Sequence, residues 1–241
     1  MNDVGRPARK ILAAALVVGG MVWTLSGDAS SASLGNVRPA TLYATASPVA
    51  LTRAIVYDTF DGPGGPVAGR WPLMHAGAPW AGAVPGWRTD GTGSAAAGSA
   101  ARSQATIEAK RSRVRVTARL LLPETKREVG VVLNDDGAGT GVVVWHSNQG
   151  AGRISIGQVR PTRVDTWVQV NNVGRPASAD LVVDFDVVPC TYRIWFGGTD
   201  PVMTRQVSTA VCAASRASTK HGLYASTDTV SRVDEFVVEG R

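Results

Sequence analysis

Acidic side chains are the first residues to consider, because two carboxylates on opposite sides of a glycosidic bond can hydrolyse it. Such pairs lie about 5–5.5 Å apart in retaining enzymes and about 6.5–9.5 Å apart in inverting ones. Asp184 and Asp186 in "LVVDFDVV" come nearest, since residues i and i+2 of a strand share a face at about 7 Å spacing. The same alternation places both in water, opposite Val183, Phe185 and Val187, which is the interpretation we favour. We therefore predict no catalytic residue.

Metal and cofactor chemistry has weak support. Asp135 and Asp136 could ligate calcium, but Asp-Asp-Gly is also a common turn sequence, and we favour the turn. His75, His146 and His221 lack the spacing of a zinc site. A phosphate-binding loop and a nucleophile elbow are also missing from the sequence. We expect no metal and no cofactor, calcium being the ion that the turn could hold.

A row of arginines could bind a ligand. Arg113, Arg115 and Arg119 share one face of the stretch "RSRVRVTARL". Guanidinium groups would pair with the carboxylates or phosphates of an acidic polymer. The alternative is that the row is the solvated face of a strand, which is the usual place for charge.

Tryptophans form a second candidate ligand site. Trp167 alternates with Gln169 in "DTWVQVNN", Trp195 shares a face with Arg193 in "TYRIWF", and Trp145 lies in "GVVVWHS". An aromatic face beside hydrogen-bonding groups suits a sugar, whose C–H face stacks while its hydroxyls need partners. The alternative is that these tryptophans pack in the core.

The elements that would position these residues are strands. In "RSRVRVTARL" the apolar residues Val114, Val116, Ala118 and Leu120 alternate with the polar ones. About ten such runs follow residue 52, separated by turns rich in Gly, Asn and Asp, and none of the intervening segments reads as an amphipathic helix of three turns. This pattern predicts an all-β antiparallel sandwich or barrel.

The Gly-, Ala- and Pro-rich segment 62–101 departs from this pattern. Its composition resists regular structure, yet it contains Trp71, Trp80 and Trp87. We expect this segment to pack over an end or a face of the sandwich.

The N-terminus predicts export. Basic residues precede the apolar run 11–25, and small residues follow it, with cleavage expected after Ala32. Without cleavage the same segment would be a single-pass membrane anchor, although bilayer spans usually need about 20 residues. We divide the chain into a signal peptide or anchor helix (1–32), a flexible linker (33–51) and one domain (52–241), and place that domain outside the cell or on its surface.

Cysteine content and charge fit this location. Cys190 and Cys212 are predicted to form a disulfide, as pairs do in oxidising compartments. The formal net charge is +6. A clustered basic helix is missing from the sequence, so we predict no nucleic-acid partner and prefer an anionic glycan or envelope polymer. Membrane contact is expected only through the N-terminal segment, and the protein is expected to be a monomer.

Five stretches together resemble the concanavalin A-like lectin/glucanase superfamily, in the laminin G-like form common in exported bacterial proteins. They are "YDTFDG", "VRVTARL", "VGVVLND", "CTYRIWFGG" and "HGLYAS…SRVDEFVV", within residues 55–238. The resemblance implies a two-sheet antiparallel jelly-roll sandwich whose first and last strands pair, with Phe60 and Phe236 in the core. It also implies carbohydrate binding on a curved sheet or loop rim, sometimes with calcium. The superfamily includes glucanases, whose Glu-x-Asp-x-x-Glu motif is missing from this sequence.

These observations predict an exported or surface-anchored, non-catalytic module that binds carbohydrate or another cell-envelope polymer. Its expected ligand residues are Trp145, Trp167, Trp195, Arg193, Gln169, Arg113, Arg115 and Arg119. One alternative is a glycan-active hydrolase or lyase. Another is a structural or adhesion domain that binds protein.

Overall fold

The computed structural model describes residues 53–82, 86–97, 102–122, 128–226 and 231–241. These residues form two antiparallel sheets packed face to face, with one short helix. The predicted all-β two-sheet sandwich is therefore confirmed.

The first sheet has nine strands. Its order is β14 (Met203–Gln206), β13 (Thr191–Phe196), β12 (Ser178–Asp186), β7 (Val114–Leu121), β16 (Arg232–Gly240), β5 (Ala95–Ala97), β4 (Trp87–Thr89) and β2 (Gly65–Pro66), with β1 (Ala54–Asp58) also paired to β16.

The second sheet has seven strands. Its order is β11 (Val164–Asn171), β10 (Arg153–Val159), β9 (Gly141–Ser147), β8 (Glu128–Asp135), β15 (Lys220–Ala225), β6 (Ser103–Glu108) and β3 (Ala81–Gly82).

Period-two alternation builds the core between the sheets. In β7, Val114, Val116, Ala118 and Leu120 are fully buried, whereas the residues between them are half-exposed on the outer face. Strand β12 alternates in the same way beside it. Each inward side chain removes apolar surface from water, which stabilises the fold by roughly 25 cal/mol per Å².

The last strand is paired with the first, as the resemblance implied. In the β1–β16 register Asp58 lies opposite Phe236. Phe60 and Phe236 are both buried and both contact Trp80, at ring-centroid distances of 5.9 and 5.1 Å. The terminal strand therefore lies inside its sheet, with β7 on one side and β1 and β5 on the other.

The helix α1 (Thr209–Ala217) was not predicted. It has only nine residues, fewer than three turns, so its periodicity is a weak signal. Ser208 caps its N-terminus by accepting a hydrogen bond from the Val211 N–H. Cys212 in this helix forms the predicted disulfide with Cys190, which precedes β13.

The described parts of segment 62–101, residues 62–82 and 86–97, pack on the sandwich as expected. They contribute the short strands β2 to β5, and they bury Trp80 and Trp87 in the core while Trp71 stays exposed.

The predictions for residues 1–51 lie outside the described residues. Within the described ranges, no helix is long and apolar enough to cross a bilayer.

Candidate functional site

A groove of about 500 Å³ opens on the outer face of the seven-stranded sheet. Its side-chain lining comes from β6 and the residue before it, from the end of β8, from β15 and from the β10–β11 hairpin, namely Arg102, Gln104, Thr106, Asp135, Lys220 and Pro161. Arg102 donates a hydrogen bond to the Pro161 carbonyl. Three strands separate β6 from β10. A flat sheet would hold these two strands about 19 Å apart, so the contact requires the sheet to curl around the groove.

Aromatic side chains lie beside the groove on this face. Tyr224 is the register partner of Gln104, and its ring lies 6.1 Å from that of Trp145. These rings are only 2% and 4% exposed, in a cluster with Val132, Val143 and Val159. They support the curved face from beneath instead of offering a stacking surface.

A β-bulge turns Asp135 toward the groove. In the β8–β15 register Lys220 lies opposite Asp135 while Gly222 lies opposite Val132, so β8 carries an extra residue there. Asn134 adopts φ 54° within this bulge. Bulges re-aim side chains in this way and are common beside active sites.

Asn134 fixes the bulge from the core side. Its Nδ2 donates to the carbonyls of Ser215 and Ser218 at the end of α1, at 2.9 and 3.0 Å. Its Oδ1 accepts a hydrogen bond of 3.1 Å from the Tyr192 hydroxyl, which is buried in the core. The orientation of Asp135 therefore depends on contacts with the helix and with β13.

Asp135 is 3% exposed. Its Oδ1 accepts a 2.7 Å hydrogen bond from the Gly137 N–H, and its Oδ2 has no hydrogen-bond partner within the described residues. Burial raises the pKa of this carboxyl, the hydrogen bond from Gly137 opposes the rise, and the charge of Asp136 adds to it. Asp135 is therefore biased toward its protonated form.

Glu108 lies across Lys220 from Asp135. Lys220 is the register partner of both acids, which places their Cα atoms about 10 Å apart across two strand spacings. Burial works to raise the pKa of Glu108, but hydrogen bonds from the Thr219 side chain and the Lys110 N–H, helped by the charge of Lys220, hold it below its usual value. Glu108 lies on the same face of β6 as Thr106, two residues further along the strand and just outside the groove lining.

This pair can supply acid and base together. The pKa of Asp135 is raised and that of Glu108 is lowered, and environments that push two pKa values apart are those that assign acid and base roles.

Four of the predicted arginines lie on the outer face of the nine-stranded sheet, away from the groove. Arg115 bonds Asp184 at 2.7 Å and Arg119 bonds Asp180 at 3.0 Å. Arg113 and Arg193 both approach Asp186, at 3.6 and 4.0 Å. These arginines form a network of ion pairs with the β12 aspartates.

Asp184 and Asp186 point outward opposite buried Val183 and Phe185, as alternation predicted. Arg241 also bonds Asp184, at 3.2 Å. Each of the two carboxylates therefore lies between two guanidinium groups.

Trp195 lies on the same outer face, between the charged rows. Its register partner is Val182, and the row continues through Thr117 and Val237 to Tyr57 on β1. The guanidinium of Arg115 lies 5.4 Å from the centre of the Trp195 ring.

Trp167 and Gln169 lie elsewhere again, on β11 at the edge of the seven-stranded sheet. A register shift places Trp167 between the paired residues Thr166 and Val168, and it packs against the core. It also lines a small cavity with Arg205, Ser208 and others. The predicted ligand residues therefore occupy three separate places, and their ligand roles stay predictions.

The predicted turn at Asp135 and Asp136 is present. Asp136 Oδ1 accepts hydrogen bonds from the N–H groups of Ala138 and Thr140. No group of three His, Cys, Asp or Glu side chains within the described ranges is arranged to hold a metal ion.

Sequence analysis did not single out Arg102, Gln104, Glu108 or Lys220. A usable signal existed in "SQATIE", whose alternation places Gln104, Thr106 and Glu108 on one face. The pairing of β6 and β8 with β15 had no such signal, because it joins segments more than 80 residues apart.

Comparison with known proteins shows the fold. No protein-family model matches the sequence, and no curated protein matches it. Among solved structures, it is similar to the GH43 protein BlXynB of Bacillus licheniformis, with TM-score 0.54 and 10% identity over 77% of this chain and 39% of that one. It is also similar to a xylan beta-1,4-xylosidase of Bacillus halodurans, with TM-score 0.51 and 13% identity over 76% of this chain and 38% of that one. An engineered GH43 glycoside hydrolase with endo-xylanase and exo-arabinofuranosidase activity matches with TM-score 0.51 and 15% identity over 78% of this chain and 41% of that one.

The chain spans about two fifths of the length of these structures. The likeness is to a β-sandwich found in glycoside hydrolases, and it does not single out the lectin/glucanase superfamily. It contradicts the prediction of a non-catalytic binding module, because the matched structures are glycan-active enzymes, and it favours the hydrolase alternative.

Proposed function

We propose that this protein is a glycan-active hydrolase whose site is the groove of the seven-stranded sheet. The observation that carries the proposal is the pair Asp135 and Glu108, placed on either side of Lys220 with pKa values shifted in opposite directions. The hydrolase structures that share the sandwich give support at the level of the fold.

Asp135 serves as the general acid. Its proton passes to the glycosidic oxygen as the bond from that oxygen to the anomeric carbon breaks. Burial raises the pKa of this carboxyl, and the buried Oδ2, which has no hydrogen-bond partner within the described residues, is the atom that we assign to the substrate oxygen.

Glu108 serves as the general base. It takes a proton from the water whose oxygen bonds to the anomeric carbon on the opposite face of the sugar. The hydrogen bonds and the lysine charge that keep Glu108 ionised keep it ready for this step. The two strand spacings between the acids are the ground on which we assign inversion, which needs room for this water between the carboxyl groups.

The location predicted from the N-terminal sequence belongs to the same proposal. An exported hydrolase would meet glycans outside the cell or in its envelope, and the disulfide fits an oxidising compartment. The finer placement in the concanavalin A-like superfamily also stays a proposal, supported by the pairing of the first and last strands.

The test is release of reducing ends by the full chain from a panel of plant and bacterial polysaccharides. Asp135→Asn and Glu108→Gln are each expected to lower kcat/KM by about 10²–10⁴-fold. Glu235→Gln is the matched control, because burial also raises the pKa of Glu235 but this residue lies beside Arg119 on the other sheet. Proton NMR of the first product reports the anomer.

Two results would refute the proposal. One is the lack of release from every polymer in the panel. The other is wild-type activity in both Asp135→Asn and Glu108→Gln.

A further inference from the structure

Two cations line the groove without a carboxylate partner. Within the described part of the chain, no carboxylate oxygen lies within 4.0 Å of the charged nitrogens of Arg102 or Lys220. The nine-stranded sheet differs, because the arginines Arg113, Arg115 and Arg119 on its outer face are each matched by a β12 aspartate.

The carboxyls near the groove offset the charge of these cations only in part. Asp135 is the one carboxyl among the described lining residues, and its burial favours the neutral form. Glu108 and Asp136 lie next to the lining, and Asp136 is exposed with its Oδ1 engaged by two backbone N–H groups. The described lining therefore has two cationic side chains against one carboxyl, an excess of positive charge even when Asp135 is ionised.

Donors for a carboxylate remain available. Arg102 uses one terminal nitrogen to hold the Pro161 carbonyl, which leaves most of the five guanidinium N–H groups for a ligand. Gln104, two residues along β6, has a buried Nε2 with no hydrogen-bond partner within the described residues. Buried donors are normally bonded, so an unpartnered amide beside two cations points to a missing oxygen-rich ligand.

We propose that the substrate of this groove is an acidic glycan, with a sugar carboxylate held by Arg102 and Lys220 and a neighbouring oxygen by Gln104. This inference rests on the proposed hydrolase function and specifies its substrate class. The fork of Arg102 gives a planar, two-point contact to a carboxylate, whereas Lys220 acts as a point charge between substrate and catalytic acids.

The test compares acidic polysaccharides with their own carboxyl-reduced forms, in which each uronic acid has become a neutral hexose. The panel contains polygalacturonate, alginate, glucuronoxylan and hyaluronan, each in both forms, and reducing-end release is measured with the full chain. At least one acidic polymer is expected to be cut tenfold or more faster than its reduced form. Its KM is expected to rise several-fold with added salt, since screening weakens charge attraction.

Variants assign the preference to the groove. Arg102→Gln is expected to lower kcat/KM on the acidic polymer about tenfold more than on its reduced form, while Arg102→Lys restores part of the difference. Arg88→Gln is the control, because Arg88 is exposed on β4 of the other sheet. Thermal unfolding of each variant verifies that it folds.

The outcomes separate the two proposals. Release from neutral polymers at equal or higher rates overturns the acidic-substrate inference and leaves the hydrolase proposal standing. An acidic preference that survives in both Arg102→Gln and Lys220→Gln overturns the assignment to this groove. Lack of release from every polymer overturns the hydrolase proposal and the inference with it.

Discussion

The indole Nε1 of Trp80 donates a 2.8 Å hydrogen bond to Oδ2 of Asp58, a carboxylate that is fully buried at the end of β1. The same carboxylate accepts a 2.8 Å bond from the Phe60 N–H and pairs with Arg70 at 3.1 Å. A buried charge is tolerated only when it is paired and bonded in this way. This junction joins segment 62–101 to β1, the strand that pairs with the terminal strand β16.

Removing the cation from this junction is expected to destabilise the protein. Arg70→Met leaves the carboxylate of Asp58 buried without its counter-charge, so we expect the free energy of unfolding to fall by about 3 kcal/mol. Urea denaturation followed by tryptophan fluorescence measures the change. Arg88→Met, at an exposed position, should change it by less than about 0.5 kcal/mol, and equal effects from both variants would refute the role of the pair.

The proposed acid and base predict a bell-shaped pH profile of kcat/KM. Activity requires Glu108 ionised and Asp135 protonated, so it is expected to fall on the acid side as Glu108 gains a proton and on the alkaline side as Asp135 loses one. Residual activity of Glu108→Gln should lose the acid limb and keep the alkaline one. A wild-type profile that is flat across both ranges would exclude this assignment.

His221 predicts a loss of stability in acid. It is fully buried, and desolvation, opposed by its hydrogen bond to the Arg111 carbonyl and by the charge of Glu108, lowers its pKa to about 4 from 6.5. As the pH falls below 6.5, the His221 imidazole is therefore protonated in the unfolded chain before it is protonated in the folded protein. The stability present above that pH is lost progressively down to pH 4, by about 3 kcal/mol.

Comparison with a variant isolates this contribution, because Asp135, with its raised pKa, acts in the opposite direction. The pH dependence of unfolding between 6.5 and 4 should be shallower in His221→Gln than in the wild type. Parallel curves for the two proteins would show that His221 does not carry the effect.

The disulfide predicts a measurable contribution to stability. It joins Cys190 before β13 to Cys212 in α1 across 22 residues. In the chain-entropy model a loop of this size contributes about 3 kcal/mol. The double variant Cys190→Ala/Cys212→Ala should unfold at correspondingly lower urea concentration, and faster hydrogen exchange in 209–217 would show that the helix has loosened.

Asn134 is expected to act as a positioning residue for Asp135. Asn134→Gly keeps a residue that tolerates positive φ but removes the bonds to Tyr192, Ser215 and Ser218, so kcat/KM should fall about 10²-fold while KM changes little. Asn172→Gly is the control, because Asn172 also has positive φ, 62°, at an exposed position. Similar kinetics for both variants would contradict the positioning role.

Local alternation explains why much of the sandwich was predictable. Strand β7 shows its two faces within eight residues, and its partner β12 repeats the pattern, so the buried set of these two strands follows from the sequence alone. The pairing of Cys190 with Cys212 needed only the cysteine count and the expected compartment.

The groove was not predictable in the same way. Asp135 faces it because Asn134 is held by residues 58 to 84 positions later in the chain. The two walls of the groove meet because Arg102 reaches the Pro161 carbonyl across the curled sheet. The strand order that makes this contact possible cannot be derived from any local sequence pattern. The pKa difference between Asp135 and Glu108 likewise depends on burial and register and not on residue type.

The position of β16 between β7 and β1 constrains when the protein can acquire its structure. The central pairing of the nine-stranded sheet needs residues 232–240, which are synthesised after all the other described strands. While those residues are still inside the ribosomal exit tunnel, β1 and β7 lack the strand that joins them. This sheet can therefore close only after residues 232–240 have left the exit tunnel, and a nascent chain that is stalled before residue 232 should remain sensitive to protease.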